Sequence, residues 1–154
     1  MPYERLLKDA EEGQVDVYEK NIKGNIKGLY SNNIIWINRN ITTAAEKTCI
    51  LAEELGHHHT TVGDILDQTK VTNRKQERRA RSWAYDKLVP LSAIIEAHKA
   101  GVKSRHEFAE RLQITEEFLA AAIEWYQEKY GLFIRYQGST IYFEPLVVLE
   151  LFES

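Results

Sequence analysis

The spacing of apolar residues divides the chain into helical and extended stretches. Tyr3, Leu6, Leu7 and Ala10 recur at helical intervals with charged residues between them, which predicts a short amphipathic helix ending at Gly13. The pattern then turns β-like. Val15 and Val17, Leu29 and Tyr30, and the run Ile34-Ile35-Trp36-Ile37, separated by turn signals at Gly24 and Ser31-Asn32-Asn33, predict a small antiparallel sheet. Thr43-Ala44-Ala45-Glu46 is a capping box that opens a helix at Ala44, and Gly63 suits its end. Gly63 to Lys70 reads as a loop. Asn73 with Gln76 opens a second helix that runs to Val89 and stops before Pro90.

Beyond Pro90 the pattern is mainly helical. Leu91, Ile94, Ile95 and Ala97 predict a helix ending near Gly101. Ser104-Arg105-His106-Glu107 caps a second helix, and Thr115 caps a third that stops at Gly131. Leu132 to Tyr136 and Thr140 to Phe143 flank Gln137-Gly138-Ser139 as a hairpin, and the apolar tail Pro145 to Phe152 returns to the body.

Composition narrows the classes of function. With 154 residues and 44% apolar content, the chain can bury a compact core. A net charge of −3 gives no global attraction to nucleic acid or to an anionic membrane. The single Cys49 cannot form an internal disulfide, and no apolar run is long enough for a membrane span. A cytoplasmic protein is therefore expected. The pair of helices joined by Leu112-Gln113-Ile114-Thr115 is shaped like a helix-turn-helix, but the second helix presents Glu116, Glu117, Glu124 and Glu128 against Lys129. Four acids facing a phosphate backbone argue against direct nucleic-acid binding and for a scaffold or protein-contact role.

The candidate chemistry lies in Leu51-Ala52-Glu53-Glu54-Leu55-Gly56-His57-His58-His59. Positions four apart share a helix face, so Glu53 and His57 can grip one metal ion, with Glu54 beside them as a general base. This is the geometry of the H-E-x-x-H metalloprotease helix with a carboxylate where the first His stands. Spacing also permits Glu54 and His58 as the four-apart pair, with Glu53 as the base. The run is equally what a solvated helix end looks like, where cationic His favours the negative end of the dipole. On the second helix, Glu77 falls on the stripe of Ala80 and Ala84, so its carboxylate is expected to point at the core, where it must be paired or metal-bound. The alternative is a surface salt bridge to one of Arg74, Arg78, Arg79 and Arg81. The two small alanines argue for close approach of another helix, the first being the obvious candidate.

These stretches resemble the ImmA/IrrE family of metallo-endopeptidases, the phage- and mobile-element-associated group. Leu51-Ala52-Glu53-Glu54-Leu55-Gly56-His57-His58 is similar to the family's A-H-E-L-G-H, and Glu77-Arg78-Arg79-Ala80-Arg81-Ser82-Trp83-Ala84 to its E-x-E-A-N-x-F-A, followed by Leu88-Val89-Pro90. The resemblance covers roughly residues 15 to 90. It implies an α+β fold: a small antiparallel sheet packed on a zincin-like helix pair in a metallopeptidase-like core of residues 1–90. Residues 91–154 then form a helical region with a terminal β-hairpin, packed on that core. It implies His57 and Glu77 as metal ligands, Glu53 in the place of the first His ligand, and Glu54 as general base. His58 or His59 is left as an oxyanion partner or alternative ligand. Arg79 and Arg81 replace the second Glu and the Asn of the family's helix. The implied ion is Zn2+, although carboxylate ligands also suit Mn2+. The implied activity is metal-dependent cleavage of a partner protein, often a helix-turn-helix repressor of a prophage or integrative element. The alternative is a catalytically weak or inactive antirepressor or adaptor that acts by protein binding.

Overall fold

The computed structural model describes residues 2–60 and 70–150. Helix α2, Ala44–Thr60, is the element the others cover. Its start is fixed by the Thr43 hydroxyl, which accepts from the Glu46 N–H at 3.2 Å. The Glu46 carboxylate does not complete the box, because Lys27 holds it at 3.0 Å. Thr48 to Ala52, Leu55 and Gly56 are all buried, so α2 is covered around much of its circumference rather than along one stripe. Helix α1, Pro2–Glu12, lays Leu6 and Ala10 against it.

Three strands follow α1: β1 (Asp16–Lys20), β2 (Gly28–Ser31) and β3 (Ile34–Asn38). Asn32 and Asn33 adopt left-handed φ of 48° and 65°, the two-residue turn that joins β2 to β3 as an antiparallel hairpin. β1 lies on the other side of β3 and runs parallel to it, Asp16 opposite Ile34 and Lys20 opposite Asn38. The sheet is therefore mixed, where an entirely antiparallel one was expected. Alternation specifies strands and faces but not partners. Here the partner is set by the connection between β1 and β2, which the buried Asn38 amide holds by donating to Ile22 O at 3.1 Å and Ile26 O at 2.9 Å. β2 becomes an open edge beside α2. A Cβ at Gly28 would stand 2.7 Å from Ile50 Cγ2 and 3.1 Å from Glu54 Oε2, so only glycine lets the strand approach this closely.

Helix α3, Lys70–Leu88, starts three residues before the expected Asn73 cap, since a polar pair at capping-box spacing also occurs inside a helix. The expected stop at Gly63 and the loop to residue 69 lie outside the described residues. α3 packs on α2 as the small residues foretell: a Cβ at Gly56 would meet Ala80 O at 2.2 Å. Helices α4 (Leu91–Lys99), α5 (Arg105–Leu112) and α6 (Glu116–Tyr130) follow. The Ser104 and Thr115 hydroxyls cap α5 and α6, each accepting at 3.1 Å from the N–H three residues on. Tyr126 of α6 is buried and donates its hydroxyl to Val89 O at 2.7 Å, pinning the α3–α4 junction. The hairpin is β4 (Phe133–Tyr136) and β5 (Ser139–Phe143), and the apolar tail adds β6 (Leu146–Glu150) as a third antiparallel strand. One apolar cluster runs from Leu51 and Leu55 through Ile94 and Leu119 to Ile141 and Phe143. Among the described residues no helix is long and apolar enough to cross a membrane.

The Gly56–Ala80 contact is testable by denaturation. Gly56→Val must push α3 backbone away and should cost about 2–4 kcal/mol, seen as a lower urea midpoint. Gly13→Ala, whose added Cβ would meet Asp9 O at 3.4 Å and Ala10 O at 3.7 Å, both ordinary contacts, should shift the midpoint little.

Candidate active site

Because nothing larger than a hydrogen separates α2 from Ala80, the side chains flanking that contact face each other across a narrow gap. His57 Nε2 and Glu77 Oε1 are 3.1 Å apart. The second Glu77 oxygen lies 3.9 Å from Arg81 Nε, one turn along α3. Ala80 and Ala84 are fully buried, as expected, but the Glu77 side chain is 54% exposed, so it does not point into the core with them. Glu77 lies about 60° around the helix from Ala80 and about 20° from Ala84, so its exposure comes from its place along the stripe rather than from its angle. At the open end of that stripe, the carboxylate keeps its hydration rather than bearing the cost of burial.

Glu53 and Glu54 are half-buried on α2. Glu54 Oε2 lies against Gly28, and burial, then the charges of Glu53 and Glu77, push its pKa up to about 7. Burial raises Glu53 as well, opposed by the positive charge of Arg81. Glu53, Glu54, His57 and Glu77 line one cleft, whose facing wall is β2 with Leu29 and Tyr30. The other two imidazoles turn elsewhere. His58 Nδ1 is 2.8 Å from the Tyr30 hydroxyl, and His59 stacks on Trp83 with ring centres 4.8 Å apart, where partial burial pulls its pKa down. His57, rather than His58, is thus the imidazole that stands against Glu77.

Does this donor set suit a divalent ion? Among the described residues no three His, Cys, Asp or Glu side chains stand close enough together to hold one. Two do. Ligands about 2.0–2.1 Å from a tetrahedral ion are about 3.3 Å from each other, close to the His57–Glu77 separation of 3.1 Å. Glu53 lines the same cleft and would have to swing in as third ligand. Three carboxylates beside one imidazole are also a donor set whose negative charge suits a cation: burial, then the charges of Glu53 and Glu77, raise Glu54, and burial with the charge of Glu77 raises Glu53. The set fits in chemistry and in one donor pair.

An edge strand beside α2 is readable from the sequence as a peptide holder, but the residues on it that form the cleft wall, Gly28 and Tyr30, were not singled out. Gly28 carried a signal: a glycine opening a strand often marks close approach of another backbone or a side chain. Tyr30 carried none, since an aromatic in a strand reads first as packing.

The Glu54 carboxyl supplies a pH test on metal-free protein. Its folded pKa is raised from the ordinary 4.5 to about 7. The stability it contributes is therefore fully present below about pH 4.5 and lost as pH rises through 7. Denaturation with chelator should show stability falling over that window, by at most about 3 kcal/mol before solvent screening. Glu54→Gln should flatten the fall; an unchanged slope would place Glu54 in a more solvated setting.

Residues 10–124 match the family described as Peptidase_M78, IrrE N-terminal-like domain. No curated protein matches the chain.

Proposed function

The chain belongs to the IrrE N-terminal-like family, Peptidase_M78, and from that premise we propose that it is a metal-dependent endopeptidase that cuts a partner protein in the cytoplasm. The observation that carries this reading is the convergence of Glu54, His57 and Glu77 in one cleft bordered by the open edge of β2. His57 and Glu77 would hold the ion, with Glu53 as third ligand, and zinc is the first choice given the imidazole. When bound, such an ion supplies Lewis acidity to the scissile carbonyl and to water.

The remaining work falls to the chain itself. The free N–H and C=O groups of β2 can hold an extended peptide as an added strand, placing its carbonyls over the cleft. Glu54, seated under Gly28, takes the proton from the attacking water as the oxygen–carbon bond forms. It then passes that proton to the leaving amine as the carbon–nitrogen bond breaks. A carboxyl with a pKa near neutrality suits both halves of this transfer. The substrate class proposed is a helix-turn-helix repressor, the partner that the resemblance to ImmA/IrrE proteins suggests.

One observation favours a second reading. Arg81 lies 3.9 Å from Glu77 and lowers Glu53, so its guanidinium stands as a cation among the carboxylates, and no third donor has converged. A protein in which Arg81 had taken over the charge balance would keep the cleft as a binding site without hydrolysis.

The two readings part on metal content and cleavage. Purified wild type should carry about one metal ion per chain by mass spectrometry; His57→Ala should lose it and His58→Ala keep it. Glu54→Gln should keep the ion and lose cleavage of a co-expressed candidate repressor by about a hundredfold or more. Metal-free wild type that captures the repressor intact would establish the binding reading instead.

A further inference from the structure

The first half of α3 gathers cations in a chain of net charge −3. Lys75, Arg78 and Arg79 are exposed, and with Lys129 of α6 they surround a shallow hollow that also includes Trp83 and Trp125. Asp86 is the one carboxylate among its described lining residues. Elsewhere Lys27, Lys47, Lys87 and Arg105 are each paired with a carboxylate, while exposed cations such as Lys23 and Lys103 lie outside this hollow, which is set apart by gathering several cations on one face. Among the described residues, none of Lys75, Arg78 and Arg79 has a carboxylate within 4.0 Å. Like charges held together on one face set up a positive local potential, which selects an anionic partner.

We propose that this hollow docks an acidic segment of a partner protein, with Asp or Glu carboxylates on Arg78, Arg79, Lys75 and Lys129 and apolar atoms against the parts of the two indoles that line the hollow. Arginine forks suit carboxylates, which they bind through two parallel hydrogen bonds. A nucleic acid fits less well. Single strands bind by stacking bases on free aromatic faces. Here Trp83 is stacked on His59, while Trp125 lies under the Lys129 ammonium at 5.0 Å and against Tyr85. The adjoining hollow mixes Glu77, Glu124 and Glu128 with Arg74 and Arg81, so it offers no unbroken positive track to a continuing phosphate backbone, whereas a peptide's charges can end. Glu77 lines the cleft and Arg78, the next residue, faces about 100° around α3, so a segment docked here lies one helix face away from the cleft. The proposal rests on the reading above only in taking the partner to be a protein; docking needs neither metal nor hydrolysis.

The test uses the full chain with chelator present and a fluorescein-labelled oligoglutamate peptide, read by anisotropy, with labelled oligo-dT for comparison. The expected result is saturable peptide binding that weakens with added salt and falls about tenfold or more in the double variant Arg78→Glu/Arg79→Glu. The double variant Lys23→Glu/Lys103→Glu makes the same change in net charge at other exposed positions and should stay within about twofold of wild type. Should the α3 variant melt early, Lys75→Glu/Lys129→Glu puts the same question from both walls of the hollow. Absent peptide binding overturns the proposal, as does an equal loss in the control variant. Tighter binding of oligo-dT than of oligoglutamate would overturn it too, by assigning the face to nucleic acid. Cleavage is not read, so a protein without peptidase activity leaves this outcome as informative as an active one.

Discussion

A single close contact sets the rest of the molecule: Gly56 of α2 against the backbone of Ala80 on α3. With no side chain between them, the helices approach until the Ala80 carbonyl fills the space where a Cβ would stand. That approach brings His57 to within 3.1 Å of Glu77. On the opposite side, Gly28 lets β2 settle on Ile50 and Glu54 by the same means. The cleft is therefore built from two missing side chains as much as from the charged ones that line it. On the α3 side its width is set by backbone, which cannot relax as a flexible side chain can, and on the β2 side by the side chains of Ile50 and Glu54.

Charge is the second constraint. Glu53, Glu54 and Glu77 share a cleft in which burial first, and then the charge of neighbouring carboxylates, disfavours ionisation of Glu53 and Glu54. Arg81 relieves some of this from the α3 side. The arrangement is costly in isolation and is eased by any cation that enters. Membership in a peptidase family makes a metal the natural candidate, and the guanidinium already present makes the balance between metal and arginine the decisive variable.

Much of this was legible in the residues. The caps at Thr43, Ser104 and Thr115 announced three helix starts, and the alternation of small residues on α3 announced its packing on α2. The meeting of His57 with Glu77 was legible from the small residues that bring α3 onto α2 and from the resemblance; their role is a matter for the metal measurement. What could not be read depended on partners remote in sequence. The parallel placement of β1 depends on side-chain bonds from Asn38 to the preceding connection. The outward tilt of Glu77 depends on where α3 leaves the core, and the turn of His58 toward Tyr30 depends on a strand 28 residues earlier. Period and propensity carry no information on such meetings.

The Asn38 amide has a consequence for the ageing of the protein. Its two N–H groups serve the carbonyls of Ile22 and Ile26, and its oxygen accepts from the Asn40 N–H. Deamidation to aspartate would exchange a double donor for an acceptor-only group and set a buried negative charge against two carbonyl oxygens. The connection it holds would be released, and with it the strand that seats Gly28 over Glu54. A one-dalton change, at a residue outside the lining of the cleft, would then loosen the β2 wall of the cleft while leaving the mass almost unaltered.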